Sequence, residues 1–420
     1  MTLGLMAKDC EIRVDYDKLR ADRVRKTNEQ MLEDGIATLL VFDPDWIRYI
    51  TSTRVNDWAN NKLLRSALMV AGQQPVLYEL GSAIAAKKKL CPWIADRMVP
   101  SIGTWRGAFP TAVGIENAKK FAKMVKDHLT EFGVQDEPVG VDLAEVLMIR
   151  ALEAEGIHVV DGQQTLLDAS KIKTDEEVYL IETSISIVEA AFWEVVNRTR
   201  PGVRESDIAG FMRETMYRLG AEEIQNINVI SGDRAYPHPH DFSDRMLRMG
   251  DMLYIDVVSV FNGYKTCYYQ TFVVGTPSAV QLDVYQRTYD WLFDAVARVK
   301  PGVSTAEIAE VWPSYEDLGL SSEAEAFALQ VAHGIGITHW GKPVISRFFS
   351  FDHPEVIEEN MVMAFETYCS RGNDAARIEE QFVITADGVR QLSKFPSANL
   401  ISCPCVGALL PGLAGTDGPA

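Results

Sequence analysis

Four side chains in this 420-residue sequence are of the types that hold a divalent cation. Asp256 sits among Tyr254, Ile255, Val257 and Val258. His333 follows the apolar run 326–332, Glu366 closes Met361-Val-Met-Ala-Phe365, and Glu379 lies in Arg377-Ile-Glu-Glu-Gln-Phe-Val-Ile-Thr385. A carboxylate inside an apolar strand must be paired, hydrogen-bonded or metal-bound. Three carboxylates and one imidazole, each delivered by the middle or end of a strand, make an oxygen-rich metal site with a single nitrogen donor.

Such a set needs elements that bring distant residues together. Met252–Phe261 and residues 264–274 read as two antiparallel strands joined at Asn262-Gly263, the strongest short hairpin signal. The turn directs Asp256 and the side chain at position 267 towards one pocket. Two helix pairs precede the later strands. The first pair, 178–197 and 206–219, is separated by Arg200-Pro-Gly-Val-Arg-Glu; the second, 282–299 and 305–317, by Lys300-Pro-Gly-Val-Ser-Thr. This repeat is internal evidence for a duplicated helix–helix–strand unit. Asp175-Glu-Glu opens the first long helix with the acidic residues that a helix N-terminus prefers.

The first part of the chain alternates in a different way. An amphipathic helix over 15–34 and a buried strand over 36–42 are followed by strand runs at 67–71, 75–79, 139–142 and 158–160. Helices at 117–132 and 143–155 lie between them, a pattern that predicts an α/β domain. The expected division is an N-terminal α/β domain over 1–168, an α+β domain with pseudo-twofold duplication over 169–402, and a tail over 403–420. Trp58 and Trp105 are expected to pack in the core.

A net charge of −18 argues against nucleic acid and anionic membranes as partners. No apolar run reaches the roughly 18 residues of a membrane-spanning helix. The start, Met1-Thr-Leu-Gly-Leu-Met-Ala-Lys-Asp, lacks the features of a signal peptide. Six cysteines over the chain fit reduced thiols and a cytoplasmic location. Cys403 and Cys405 read as ordinary tail residues.

The order Asp, hairpin, His-Gly-Ile-Gly, Phe-Glu, Arg-Ile-Glu resembles the pita-bread family of creatinase, aminopeptidase P, prolidase and methionine aminopeptidase, over roughly residues 170–400. The resemblance implies five metal ligands at Asp256, Cys267, His333, Glu366 and Glu379. Four match the peptidase pattern; Cys267 stands where a peptidase has Asp. The run Cys267-Tyr-Tyr-Gln-Thr271 replaces the usual Asp-x-Thr-Arg-Thr, so Gln270 takes the place of Arg. A thiolate suits Zn²⁺ or Fe²⁺ better than Mn²⁺. Three outcomes stay open: two metals bridged by the thiolate, about one metal per chain, or none, as in creatinase.

The resemblance also places a substrate-contacting or proton-carrying histidine in Tyr236-Pro-His-Pro-His240, at His238 or His240. His339, in Thr338-His-Trp-Gly-Lys342, follows His333 by six residues, where the peptidases usually carry a His-Glu pair at seven and eight, so the usual Glu partner is absent; Arg377 matches an arginine that orients carboxylates. His353 reads as a loop residue. The implied activity is hydrolysis of a C–N bond in a small polar or zwitterionic substrate, with Glu366 taking a proton from an activated water. Alternatives are elimination like that of dimethylsulfoniopropionate lyase, supported by 41–49 and Ser393-Lys-Phe-Pro-Ser397; a metal-free creatinase or ectoine hydrolase-like reaction; an Xaa-Pro peptidase; and a non-catalytic partner-binding module. A homodimer is expected, with the N-terminal domain capping the partner's site.

Overall fold

Short buried strands between amphipathic helices build the first part of the chain. The computed structural model describes residues 14–404 except 57, 59–61 and 237. These fall into two units, Val14–Lys171 and the chain from Ile172 onward. The first unit contains β1 (Thr38–Val41), β2 (Ser66–Val70), β3 (Val76–Glu79), β4 (Met98–Pro100), β5 (Val139–Val141) and β6 (Val159–Asp161), in the order β4-β3-β2-β1-β5-β6. The sheet is mixed, since β1 runs antiparallel to β2 and parallel to β5.

Its helices are α1 (Tyr16–Glu33), α2 (Pro44–Thr51), α3 (Ile84–Leu90), α4 (Thr111–Glu131), α5 (Val146–Ala154) and α6 (Gln163–Lys171). Asp15 caps α1, accepting from the N–H groups of Asp17 and Lys18. Along α4, Phe121, Ala122, Val125 and Leu129 recur at helical spacing and pack with Leu40 and Tyr78 of the sheet. Trp58 and Trp105 depart from their expected place in the core. Trp58 is 55% exposed and meets Trp105 edge-on at 5.8 Å.

The second unit is built twice. In its first half α7 (Asp175–Arg198) and α8 (Glu205–Arg218) precede β7 (Glu223–Ser231), β8 (Met252–Phe261), β9 (Tyr264–Lys265) and β10 (Tyr268–Val274). In its second half α9 (Ala279–Val296) and α10 (Thr305–Ala309) precede β11 (Val331–Gly334), β12 (Gly341–Ile345), β13 (Val362–Arg371), β14 (Asp374–Thr385) and β15 (Gly388–Gln391). The Pro-Gly-Val turns superpose bond for bond: Gly202 N–H donates to Leu247 O and Gly302 N–H to Ile357 O, while Glu205 N–H reaches Arg245 O and Thr305 N–H reaches Glu355 O. Helix α10 is shorter than the pattern over 305–317 predicts. Pro313 cannot continue it and disfavours helical backbone at Trp312, whose side chain turns into the core instead.

With a final strand β16 (Ile401–Cys403), the described residues form two five-stranded sheets, one ordered β16-β10-β8-β7 with β9 on β8, the other β12-β11-β13-β14-β15. The strand β16 pairs with β10, so Cys403 is a buried sheet residue and not part of a tail. Cys405 lies outside the described residues, as does the segment 1–13. Helix α9 packs Val284, Tyr285 and Leu292 on Phe365, Ile378 and Phe382 of the second sheet. The sheets are fastened at the inner strands: Thr271 Oγ1 donates to Arg377 O at 2.6 Å and receives Arg377 N–H at 2.8 Å, and Gln381 Nε2 donates to Cys267 O. Those bonds bring position 267 of one half against position 379 of the other.

A candidate metal centre between the two sheets

The Asn262-Gly263 turn has φ of 49° and 87°, the left-handed pair that a tight hairpin requires. It holds the register in which Asp256 faces Tyr269. The second strand is broken after Lys265, and Cys267 sits in that break. Its Sγ approaches Asp256 Oδ1 at 3.9 Å. From the other sheet, Glu366 and Glu379 are direct cross-strand partners on β13 and β14, and Val331 of β11 pairs with Glu366. His333 follows on β11, where Gly334 has no room for a side chain: a Cβ there would lie 2.3 Å from Lys342 O.

These elements gather Cys267, His333 and Glu379 so that one donor atom of each lies within 4.8 Å of the others. All three are buried. His333 Nδ1 lies 3.2 Å from Gly334 O, so its proton belongs there and Nε2 presents the lone pair. Nε2 stands 3.6 Å from Glu379 Oε1. His333 Nε2 and both Glu379 carboxylate oxygens lack a hydrogen-bond partner among the described residues. Buried atoms of this kind are rare unless something else satisfies them. One thiol, one imidazole and one carboxylate fit a divalent ion.

The electrostatics agree with a site built around positive charge. Burial, together with the charges of Glu379 and Glu366, pushes Asp256 up to about 8. Burial and Glu366 raise Glu379 to about 7, opposed by His333 and Arg377. Cys267 is raised by burial and by the surrounding carboxylates. Burial would depress His333, but the nearby carboxylates of Glu379 and Glu366 outweigh that and carry its pKa upward. A bound cation reverses these pressures on the thiol and carboxyls.

The remaining residues singled out in the sequence fall around this cluster. Glu366 Oε2 receives both Nε and Nη2 of Arg377, a buried ion pair. Arg377 Nη1 is buried without a hydrogen-bond partner among the described residues. His238 is half-buried, with Nε2 3.2 Å from the Tyr269 hydroxyl, whereas His240 lies outside it and is exposed. Burial, Arg377 and His240 lower His238 to about 2. His339 is half-buried with its ring 6.1 Å from that of His333, and burial followed by His333 and Lys265 lowers it to about 3. His353 is exposed in a loop. Gln270 faces away from the cluster and donates to the buried Glu380 at 3.4 Å, so its replacement of Arg does not alter the cluster's own lining.

Several contributors were not anticipated. Asn226 and Asn228 both donate to Asp256 Oδ2, at 2.6 and 2.9 Å. Two asparagines with one residue between them put two amides on one face of β7, but that strand also carries Glu223, Gln225 and Ser231, so the sequence does not single the pair out. Trp340 stacks on the His333 ring at 4.4 Å and 11°. Tyr269 carries the Arg377 guanidinium 4.3 Å from its ring centre. Glu205 accepts from the N–H and hydroxyl of both Ser231 and Ser243, closing the loop that bears His238.

Comparison with known proteins places this geometry. The metallopeptidase family M24 matches residues 180–386, wholly within the second unit. The Xaa-Pro dipeptidase of Pyrococcus furiosus is 28% identical over 230 residues, 54% of this chain and 64% of that protein. The dimethylsulfoniopropionate lyase DddP of Roseobacter denitrificans is 23% identical over 404 residues, 91% of this chain and 87% of that protein. Among solved structures, the Xaa-Pro dipeptidase from Bacillus anthracis aligns with a TM-score of 0.73 at 20% identity, covering 91% of this chain and 99% of its own. The prolidase from Pyrococcus horikoshii aligns with a TM-score of 0.70 at 20% identity, covering 89% and 99%. At these identities the structures establish the shared fold. No described helix is long and apolar enough to cross a membrane.

Proposed function

The chain belongs to metallopeptidase family M24, and from that we propose that it hydrolyses a C–N bond in a small polar or zwitterionic molecule, using about one divalent cation per chain. Cys267, His333 and Glu379 would hold the ion. Their sulfur, nitrogen and oxygen atoms favour Zn²⁺ or Fe²⁺ over Mn²⁺. When bound, the ion supplies Lewis-acid stabilisation of negative charge developing on the substrate. The observation that carries the single-cation reading is at Asp256. Its Oδ2 is taken up by Asn226 and Asn228, and its Oδ1 faces a thiol, not a second carboxylate.

The chain's own groups supply the rest. Glu366, anchored through Oε2 to Arg377, offers Oε1 to take the proton of an attacking water. Arg377 Nη1, buried and without a partner among the described residues, is suited to a carboxylate of the substrate. The burial of Asp256, Cys267, His333, Glu366 and Glu379 favours a small substrate over a long peptide. A homodimer goes with this reading, and the exposed Trp58 edge-on to Trp105 is an aromatic surface suited to capping a neighbour.

Elimination is the second reading, favoured because the match to the lyase of Roseobacter denitrificans runs over both units. One panel separates the two. Purified protein is incubated with ectoine, creatine, dimethylsulfoniopropionate, related amides and Xaa-Pro dipeptides, with Zn²⁺, Fe²⁺ or Mn²⁺ supplied. Amine release from a small zwitterion supports hydrolysis. Dimethyl sulfide release with no amine from any compound would replace it with elimination.

A further inference from the structure

Position 269 lies inside the run where the resemblance leads one to expect Thr, and the tyrosine found there reaches much further. Its ring rests on the Arg377 guanidinium at 4.3 Å, which fixes where the hydroxyl points. The hydroxyl lies 3.2 Å from His238 Nε2. On its other side is the carboxyl group of Asp256, its direct cross-strand partner on the same face of the hairpin.

The direction of these bonds is set from one end. The backbone N–H of His240 points at His238 Nδ1, 3.1 Å away, and a backbone N–H can only donate. His238 Nδ1 is therefore the acceptor, and a neutral imidazole then carries its proton on Nε2. Nε2–H donates to the Tyr269 oxygen, which leaves the tyrosine proton for Asp256. The chain runs one way, from His240 through His238 and Tyr269 to Asp256, where the amides of Asn226 and Asn228 also end.

We propose that Tyr269 is a positioning residue through which the His238 loop acts on Asp256, holding that carboxyl group with Oδ1 turned towards Cys267. On this view His238 contributes by orienting Tyr269, not by carrying a proton to the substrate, because its second nitrogen is already committed to His240. What the chain serves rests on the hydrolytic reading above; the chain itself does not.

The test therefore has one arm without turnover. Long-range ¹H–¹⁵N correlation of the labelled protein as isolated, with His238 identified by His238→Gln, reads the tautomer directly. The expected result is a neutral Nε2–H ring whose Nε2 proton exchanges slowly with water, and at least about tenfold faster in Tyr269→Phe. That variant keeps the ring on Arg377. A proton on Nδ1 in the unaltered protein, or unchanged exchange in Tyr269→Phe, overturns the proposal. In the second arm, on whichever panel compound turns over, Tyr269→Phe should lower kcat about tenfold or more with KM and metal content unchanged. Adding His238→Gln should bring no further loss, and losses that multiply would show two independent roles. If no compound releases amine, the functional reading fails while the first arm still decides the chain.

Discussion

Across the hairpin, the Cys267 thiol sits 3.9 Å from Oδ1 of Asp256, at the place where two carboxylates would face each other in an oxygen-only metal site. The two oxygens of Asp256 have unlike neighbours, amides on Oδ2 and sulfur on Oδ1. On the reading proposed above, removing one negative charge and inserting a soft donor would change both how many cations the centre holds and which ones.

The first prediction follows from that exchange. Cys267→Asp should raise Mn²⁺ occupancy and lower the preference for Zn²⁺, read by elemental analysis after dialysis against equal concentrations of both. In the Co²⁺-loaded protein a thiolate-to-metal absorption band in the near ultraviolet should be present and should vanish in Cys267→Ser. Two tightly held manganese ions in the unaltered protein would contradict the single-cation reading.

A second prediction concerns the loop that carries His238. Glu205 is buried and receives the N–H and hydroxyl groups of Ser231 and Ser243, as well as Arg234. Truncating it leaves several buried donors and a guanidinium without their acceptor. Glu205→Ala should cost about 3–5 kcal/mol of stability, by analogy with the breaking of a buried ion pair. Urea unfolding of the two proteins measures it, and a loss below about 1 kcal/mol would mean that water replaces the carboxylate at little cost.

The third prediction is a pH dependence with a definite sign. His238 and His339 are lowered to about 2 and about 3, chiefly by burial, from an ordinary value of 6.5. Between those values and 6.5 the unfolded chain binds protons that the folded chain does not, so stability rises with pH there. Their contribution is fully present above about pH 6.5 and is lost as pH falls towards the folded values. Taken alone, the two histidines therefore lower the unfolding midpoint between pH 7.5 and pH 5, while the raised carboxyls of Asp256 and Glu379 act in the opposite direction over the same window. Substituting His339 with Asn should shift the midpoint at pH 5, relative to that at pH 7.5, upward from its value in the unaltered protein; no such shift would show that His339 is not held neutral in the folded chain.

Much of this candidate site was legible because each proposed ligand sits on an element with a strong local signal. Asn262-Gly263 pins the hairpin register, and with it Asp256 and Cys267. The repeated Pro-Gly-Val turn reveals the duplication that carries His333, Glu366 and Glu379 to the same place. What escaped is whatever depends on contact between strands far apart in sequence. Asn226, Asn228 and Tyr269 look like ordinary strand residues until β7, β8 and β10 are laid side by side. Gln270 shows the converse. Period-two alternation already puts it on the opposite face from Tyr269, although it replaces an arginine of the family run. Trp58 and Cys403 went astray through context, one on an exposed stretch, the other on a final strand too short to show a period.

The placement of Gln270 bears on the last prediction, which concerns Xaa-Pro dipeptides. Had Gln270 lined the centre, replacing Arg would have removed one charge-assisted contact from it. Because Gln270 donates to Glu380 on the other face, that loss does not apply to the centre. The missing partner of His339 remains, since Trp340 occupies the next position and stacks on His333. One such contact is worth about 1.5–3 kcal/mol, or roughly ten- to a hundred-and-fifty-fold in rate. Cleavage of Xaa-Pro dipeptides should then be detectable but slow, below about 10⁴ M⁻¹s⁻¹ in kcat/KM, and slower than turnover of the best small zwitterion. Glu366→Gln should abolish both reactions, since they share the base, while Arg377→Lys should raise KM more for substrates that carry a free carboxylate. Dipeptide cleavage at or above that rate, with no small zwitterion doing better, would make the chain a peptidase and sink the small-molecule reading.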